Sequence, residues 1–461
     1  MKLPNAAIFR AYDIRGIVGK ELNAEDFLYV GQAFASHVAD KGQCRTPMIV
    51  AMRDARDSSP NLSEAMIEGM LKAGAHVLDG GVGPTPMCYF ATHHLNADGS
   101  VMITGSHNPG DHNGAKFMFE NLSLSGTALA SLRVRCGAND VLHSRGVREE
   151  ISMLDEYVLC LEKALGKSDA LNKLSFAWDA GNGVAGVVLK ELLEDTAAPQ
   201  HAMYFEPDSS FPNHHPDPAE PENMQQLQDA VKANPLLAAG FAFDGDGDRL
   251  GVVDDLGRLV APDHLLMLLA DDVLKRKPGS TIIGDVKTSD MFFARVQADG
   301  GKPLMWKTGH ALIKEKMRET SACFAGEASG HLFFADEYYG YDDGIYAALR
   351  VARIIAESGK KLSMLIDELP KLHASAEMRI DCDDARKFTL IEELAAELKD
   401  VGADVNTLDG VRVSTGDGWW LLRASNTQAK LVLRAEGSTQ EATDKLIQML
   451  KSKLSAKGVK I

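Results

Sequence analysis

The chain lacks a basic excess. Its 461 residues carry 49 Lys and Arg against 65 Asp and Glu, a formal net charge of −16. That argues against a general nucleic-acid binder, whose affinity leans on a positive surface facing phosphates, and leaves room only for local basic pockets that take a small anion. The sequence also lacks a run of ~18 apolar residues, the length a membrane-spanning helix needs. Met1 to Arg10 has no apolar segment of the kind that opens a secretion signal. Cysteine is sparse: the six, at 44, 88, 136, 160, 323 and 382, have neither zinc-knuckle nor redox-pair spacing. Scattered thiols suit a reducing compartment. Low-complexity segments and close sequence repeats are absent as well. What is present is 45% hydrophobic and 25% charged, the profile of a globular protein. The expectation is a cytoplasmic, enzyme-sized protein with no nucleic-acid and no membrane partner. At ~150 residues per domain, length alone suggests about three domains.

A repeat of pattern raises that to four. Pro47 to Met52 reads as a strand, Ser59-Pro60 opens a helix that ends at Gly74, Ala75 to Asp79 is a second strand, a helix covers Pro86 to Leu95, and Ser100 to Thr104 is a third strand. The same order recurs from Leu174 to Phe243 and again from Thr281 to Ala325. Strand-helix-strand alternation implies a parallel sheet. The last part differs: strands at Val411 to Val413, Trp419 to Arg423 and Leu431 to Ala435 lie between helices near Leu390 to Leu398 and Glu441 to Leu454. The expected fold is α/β: three tandem mixed α/β domains, at 1–153, 154–256 and 257–369, plus a smaller α+β domain at 370–461 around a central cleft.

Each third strand runs into a polar, glycine-containing loop: Gly105-Ser106-His107-Asn108-Pro109, Asp244-Gly245-Asp246-Gly247-Asp248-Arg249, and Gly326-Glu327-Ala328-Ser329-Gly330-His331. Ligands in open parallel sheets sit beyond the carboxyl ends of strands, so three such loops could meet in one cleft. Asp244, Asp246 and Asp248 repel one another unless a cation neutralises them, and oxygen donors on a short loop suit Mg²⁺ or Ca²⁺. An EF-hand is rejected because Arg249 stands where its glycine belongs, Asp255 where its glutamate belongs, and both flanks read as strands. Ser106 is either a nucleophile or a helix cap; Lys116 and His107 nearby favour the nucleophile. Arg423-Ala424-Ser425-Asn426-Thr427 is either a phosphate clamp or a polar strand end. Gly181 to Gly186 matches G-x-G-x-x-G after a strand, with Glu206 about twenty residues on, the dinucleotide pattern that motivates an alternative reading as a nicotinamide-dependent oxidoreductase. That reading leaves the aspartate and Ser106 loops unexplained. His93-His94 and His214-His215 are adjacent pairs that make poor two-ligand sites and read as surface or loop residues. Trp419-Trp420 reads as packing.

In their order along the chain these segments resemble the α-D-phosphohexomutases. Phe9-Arg10-Ala11-Tyr12-Asp13-Ile14-Arg15-Gly16, Asp179-Ala180-Gly181-Asn182-Gly183, Asn213 to Pro218 and Lys307-Thr308-Gly309-His310 extend the match from Phe9 to about Glu436. The resemblance implies an isomerase that moves a phosphoryl group between C1 and C6 of mannose or glucose phosphates through a hexose 1,6-bisphosphate. It implies Ser106 as the phosphoserine, and Mg²⁺ held by Asp244, Asp246, Asp248 and a Ser106 oxygen, with Arg249 supporting the loop. Glu327 and Ser329 would read sugar hydroxyls, while Arg423, Ser425, Asn426 and Thr427 would grip the non-reacting phosphate. Tyr12, Arg15, Lys116, Lys287, His310 and His331 would line the cleft, with Lys116, Arg15 or His331 moving the proton. Ala328 stands where mannose/glucose enzymes of the family commonly carry Met and glucosamine enzymes Gln, so mannose and glucose phosphates are the expected substrates and glucosamine phosphate the alternative.

Overall fold

A computed structural model describes residues 3–425 and 429–459. Four β-sheets follow one another along the chain, each with its own strand order. The first runs Ile14–Ile17, His112–Phe119, Gly99–Ile103, Met48–Arg53, His76–Val82, Val147–Glu150, with Leu122–Ser123 paired beside His112–Phe119. The second runs Leu250–Asp254, Leu237–Phe243, Ser175–Asp179, His201–Met203; the third Lys302–Trp306, Thr281–Asp285, Phe324–Gly326, Leu332–Phe334. The fourth, Met378–Asp381, Lys430–Gly437, Gly418–Ala424, Val411–Thr415, Asp404–Asn406, is antiparallel throughout.

The three strands read in each of the first three units lie where the pattern puts them, but Val147–Glu150 adds an unread parallel edge beside His76–Val82, and the sheets are mixed. In each of the first three, the third strand read turns back on an antiparallel partner. Met102 pairs with Lys116, Phe243 with Leu250, and Gly326 with Leu332. The three polar loops are therefore the tips of these returns and do not lead into helices. Gly99–Ile103 is buried at every position because helices cover both faces of its sheet, as parallel strands require.

One apolar core runs through the first three units, from Met52 and Phe90 past Trp178 and Phe241 to Leu266 and Tyr346. Its axis is the helix Gly344–Ser358, capped by Asp343, which accepts from Tyr346 N at 2.9 Å. Arg350 on that helix is fully buried. Its charge is met by Asp336 at 2.8 Å and Asp272 at 2.7 Å, and its guanidinium lies over the Phe334 ring at 4.7 Å. The fourth unit has a core of its own around Trp420, Leu422 and Leu450. It meets the third through a small seam of Val286, Trp419 and Leu421, and through Arg434, which donates to Lys287 O at 2.6 Å. Both tryptophans are thus packing residues. Among the described residues no helix is long and apolar enough to cross a membrane.

Candidate active site

The three return loops and the fourth unit converge on one open cleft. Tyr12, Arg15, Ser106, His107 and Lys116 line it from the first unit and Arg249 from the second. Lys287, His310, Glu327, Ser329 and His331 come from the third, Arg423 and Ser425 from the fourth. Asn426 and Thr427 lie outside the described residues. Thr308, Gly309, Glu377 and Arg379 also line the cleft.

Ser106 is 2% exposed and takes a left-handed backbone, φ 49°, unusual for a residue with a side chain. Its N–H donates to Thr104 Oγ1 at 2.8 Å, and its Oγ donates to Asp244 Oδ2 at 2.9 Å and stands 3.1 Å from His107 Nδ1. The loops of the first two units touch so closely that a Cβ on Gly245 would stand 2.4 Å from Ser106 O.

Asp244, Asp246 and Asp248 are wholly buried, with carboxylate oxygens close enough to share a cation. Asp244 Oδ1 accepts from the N–H of Asp248 and of Arg249, each at 3.1 Å. Asp246 is gripped by the Thr85 hydroxyl. Lys116 reaches across from the first unit to Asp246 at 2.6 Å and Asp248 at 2.5 Å. Asp246 Oδ1 and Asp248 Oδ1 have no hydrogen-bond partner among the described residues. Buried acceptor atoms are rarely left so, and a buried carboxylate triad with two such oxygens fits a hard divalent cation. Burial, with Asp248 and Asp246 behind it, pushes the Asp244 carboxyl well above the usual range. A bound cation would reverse that direction.

The opposite wall is held by Glu327, 1% exposed, which accepts from Gly309 N at 2.5 Å and pairs with His331 Nδ1 at 3.0 Å. Burial and Arg249 oppose charge on His331, but Asp248 and Glu327 outweigh them and lift it to about 9. Ser329 Oγ is 3.1 Å from His331 Nδ1. His310 stacks edge-on to Tyr12, ring centroids 5.0 Å apart. Burial, with Lys314 and Lys116 near, keeps it well below the ordinary histidine value. In the fourth unit Arg423 is oriented by Asp409 at 3.1 Å. Lys287 pairs with Glu377 at 3.0 Å, and Arg379 with Glu377 at 2.9 Å. Glu377 directly precedes the strand Met378–Asp381, and no motif in the sequence marks it.

His214 lies in a loop, as its sequence suggests, and is tied down there: its Nε2 is 2.9 Å from Asp179 Oδ2, and Asp179 Oδ1 accepts from Gly181 N at 2.9 Å. The glycines of the G-x-G-x-x-G stretch face protein, not a nucleotide. A Cβ on Gly183 would meet Gly245 O at 2.8 Å, and one on Gly186 would meet Phe205 O at 2.0 Å. The stretch packs beneath the aspartate loop.

Residues 6–131, 155–257, 261–373 and 377–453 match four family models. Three are described as phosphoglucomutase/phosphomannomutase, alpha/beta/alpha domains I, II and III, and the last as the C-terminal domain. A phosphomannomutase/phosphoglucomutase of Pseudomonas aeruginosa is 42% identical over 452 residues, covering 98% of this chain and 96% of the relative. A phosphoglucomutase of Neisseria gonorrhoeae is 40% identical over 447 residues, covering 96% of each. Among solved structures, a phosphoglucomutase/phosphomannomutase family protein of Burkholderia thailandensis superposes with a TM-score of 0.89 at 40% identity, covering 98% of each chain.

Proposed function

Because this chain belongs to the phosphoglucomutase/phosphomannomutase family and is a phosphohexomutase, we propose that it interconverts the 1- and 6-phosphates of mannose and glucose with Ser106 as the phosphoryl carrier. The observation that carries the reading is Ser106 Oγ at 2.9 Å from a buried aspartate triad, at the base of a cleft whose far walls hold Glu327 and Arg423. The phosphoryl group passes from Ser106 Oγ to the free hydroxyl of the bound hexose phosphate. The P–Oγ bond breaks, a P–O bond to the sugar forms, and the hydroxyl proton is taken by a cleft residue. Lys116, Arg15 and His331 are the groups proposed to move it; all three rest as cations, with His331 lifted to about 9, so the one that takes the hydroxyl proton must pass on its own. The resulting 1,6-bisphosphate turns over, and its other phosphate returns to Ser106.

Asp244, Asp246, Asp248 and a Ser106 oxygen would hold Mg²⁺, with Arg249 supporting the loop. When bound, the ion supplies charge neutralisation for phosphoryl transfer. Glu327 and Ser329 read ring hydroxyls, while Arg423 and Ser425, with Asn426 and Thr427, grip the phosphate that does not react. Tyr12, Lys287, His310 and His107 complete the walls. Both orientations of the bisphosphate must fit, which favours firm phosphate contacts and loose reading of the sugar. The domain division at 153/154, 256/257 and 369/370 belongs to the same reading and is supported by the four sheets falling on either side of it. So does a cytoplasmic location, supported by cysteines without paired spacing.

The test is intact mass and peptide mapping after incubation with glucose 1,6-bisphosphate, alongside a mutase assay of Ser106→Ala. The expected result is one phosphate on Ser106 and near-complete loss of activity in a folded variant. Phosphate found elsewhere, with Ser106 bare in active enzyme, would falsify the carrier role.

A further inference from the structure

The loop that carries Ser106 is held from behind by a single side chain. Residues 105–112 have little regular structure; Asn108 N and His112 N donate within the loop to Gly105 O and Pro109 O, each at 3.0 Å, and other carbonyls need partners from elsewhere. Arg56 reaches four of the loop's carbonyls. Its Nη2 donates to Ser106 O at 2.7 Å and Asn108 O at 2.6 Å, and its Nη1 donates to Pro109 O at 2.5 Å and His112 O at 3.0 Å. Its Nε donates to Asp54 Oδ2 at 3.2 Å, and the same carboxylate oxygen accepts from Gly105 N at 3.1 Å. Arg56 is 3% exposed, and its guanidinium lies over the Phe211 ring at 5.4 Å. One planar fork thus ties four loop carbonyls, and through Asp54 a loop N–H, to the end of the strand Met48–Arg53.

This matters because of the backbone at Ser106. A left-handed conformation at a non-glycine residue is strained and persists only where its surroundings over-determine it. Here the N–H of Ser106 is fixed by Thr104 Oγ1 and its carbonyl by Arg56. With both sides of the residue held, Oγ is directed into the cleft toward Asp244. The fit leaves no slack: a Cβ on Gly105 would stand 2.6 Å from the guanidinium carbon of Arg56. A lysine keeps the charge but offers three donors on one atom, and cannot span the four carbonyls as the fork does.

We propose that Arg56 is a positioning residue for phosphoryl transfer: by holding the Ser106 carbonyl and the loop behind it, it keeps Oγ in line for donating and accepting the phosphoryl group. Arg56 touches neither the substrate nor the reacting atoms, so its loss slows the chemical step more than it weakens substrate binding. The proposal rests on Ser106 being the carrier.

The test uses full-length Arg56→Lys and Asp54→Asn, with circular dichroism and thermal melts to establish folding. Steady-state kinetics with glucose 1-phosphate are paired with rapid-quench transfer from enzyme pre-phosphorylated by glucose 1,6-bisphosphate. Transfer rates are counted per phosphorylated Ser106, so unfolded protein does not enter. The expected result for Arg56→Lys is a fall of about 10²-fold in kcat and in the transfer rate, the scale of a small misplacement of reacting groups, with KM little changed. Asp54→Asn, which only loosens the tether, falls between it and wild type. Free guanidinium should restore part of the transfer rate to Arg56→Ala. A wild-type transfer rate in folded Arg56→Lys overturns the proposal. So does a loss confined to KM, or, where Arg56→Lys does not fold, a wild-type rate in Asp54→Asn. Wild-type enzyme that never carries phosphate on Ser106 overturns the carrier reading instead, whatever Arg56 does.

Discussion

Replacing Lys116 by methionine should destabilise the protein in chelator and much less in Mg²⁺. Lys116 is 5% exposed, and its ammonium is the close countercharge for two wholly buried carboxylates, at 2.6 Å from Asp246 and 2.5 Å from Asp248. The other cations beside the triad stand farther off: His331 Nε2 is 3.4 Å from Asp248 Oδ1, and Arg249 is 4.0 Å from Asp244 and turned toward Asp217 and His331. Methionine keeps the volume and removes the charge. Stripping one partner from a buried ion pair costs about 3–5 kcal/mol, since the other is left uncompensated. At roughly 2–4 °C per kcal/mol for a unit of this size, the melting point should fall by roughly 6–20 °C in EDTA. A divalent cation bound by the triad supplies twice the lost charge, so saturating Mg²⁺ should close most of the gap. The pH sign follows from Asp244, whose carboxyl burial already raises. A folded-state value above the unfolded one gives stability that is present at low pH and lost as pH rises. Removing Lys116 raises the triad further, so the deficit in EDTA should be larger at pH 8 than at pH 5. Differential scanning calorimetry of both proteins in EDTA and in Mg²⁺, at the two pH values, reads all of this. A deficit that is the same with and without metal would refute the reasoning, because Lys116 would then be replaceable only by itself.

Three further outcomes are expected. Gly245→Ala should fold yet lose most mutase activity, since its Cβ would stand 2.4 Å from Ser106 O and push the loop off the triad; wild-type kcat in this variant would show that the two loops have slack. Asp343, buried and raised by that burial to about 6 despite hydrogen bonds from Tyr346 N, Tyr157 and Tyr338, should oppose folding as pH rises through that value. Asp343→Asn, which cannot ionise, should therefore gain on wild type by up to about 3 kcal/mol between pH 4 and pH 7, and urea midpoints whose difference stays flat over that range would count against it. Side-by-side kcat/KM values should be comparable for mannose 1-phosphate and glucose 1-phosphate and clearly lower for glucosamine 1-phosphate. Ala328 offers no partner to a 2-amino group, and an unmet buried polar group costs about 1–3 kcal/mol; glucosamine 1-phosphate as best substrate would sink that reading.

Much of the site was legible because its residues follow a local rule. Ser106, Asp244 and Glu327 each stand just past the carboxyl end of a short apolar strand, in polar loops that contain glycine. The same rule applied to Met48–Arg53 would have reached Arg56, which follows that strand by three positions. The long helices Ala24–Lys41, Pro262–Arg276 and Gly344–Ser358 went unread. The last did carry a signal: Ile345, Leu349, Ala352 and Ala356 recur at helical spacing on one face, with Arg350, Arg353 and Glu357 on another, so its period was there to be read.

The sequence by itself determined the strands, the turns and the chemistry of each loop, since these depend on neighbours within a few residues: strand period, glycine and proline at turns, carboxylates alternating with glycine. Tertiary structure decided what those loops are for. Lys116 meets Asp246 across 130 positions, Ser106 meets Asp244 across 138, and Lys287 meets Glu377 across 90. It also turned the dinucleotide-like glycines into packing beneath the aspartate loop and made His214 a strut for Asp179. Such contacts are set by how four sheets pack edge to face around helices, a matter of volume and buried charge summed over the whole core, which no local pattern in the chain encodes.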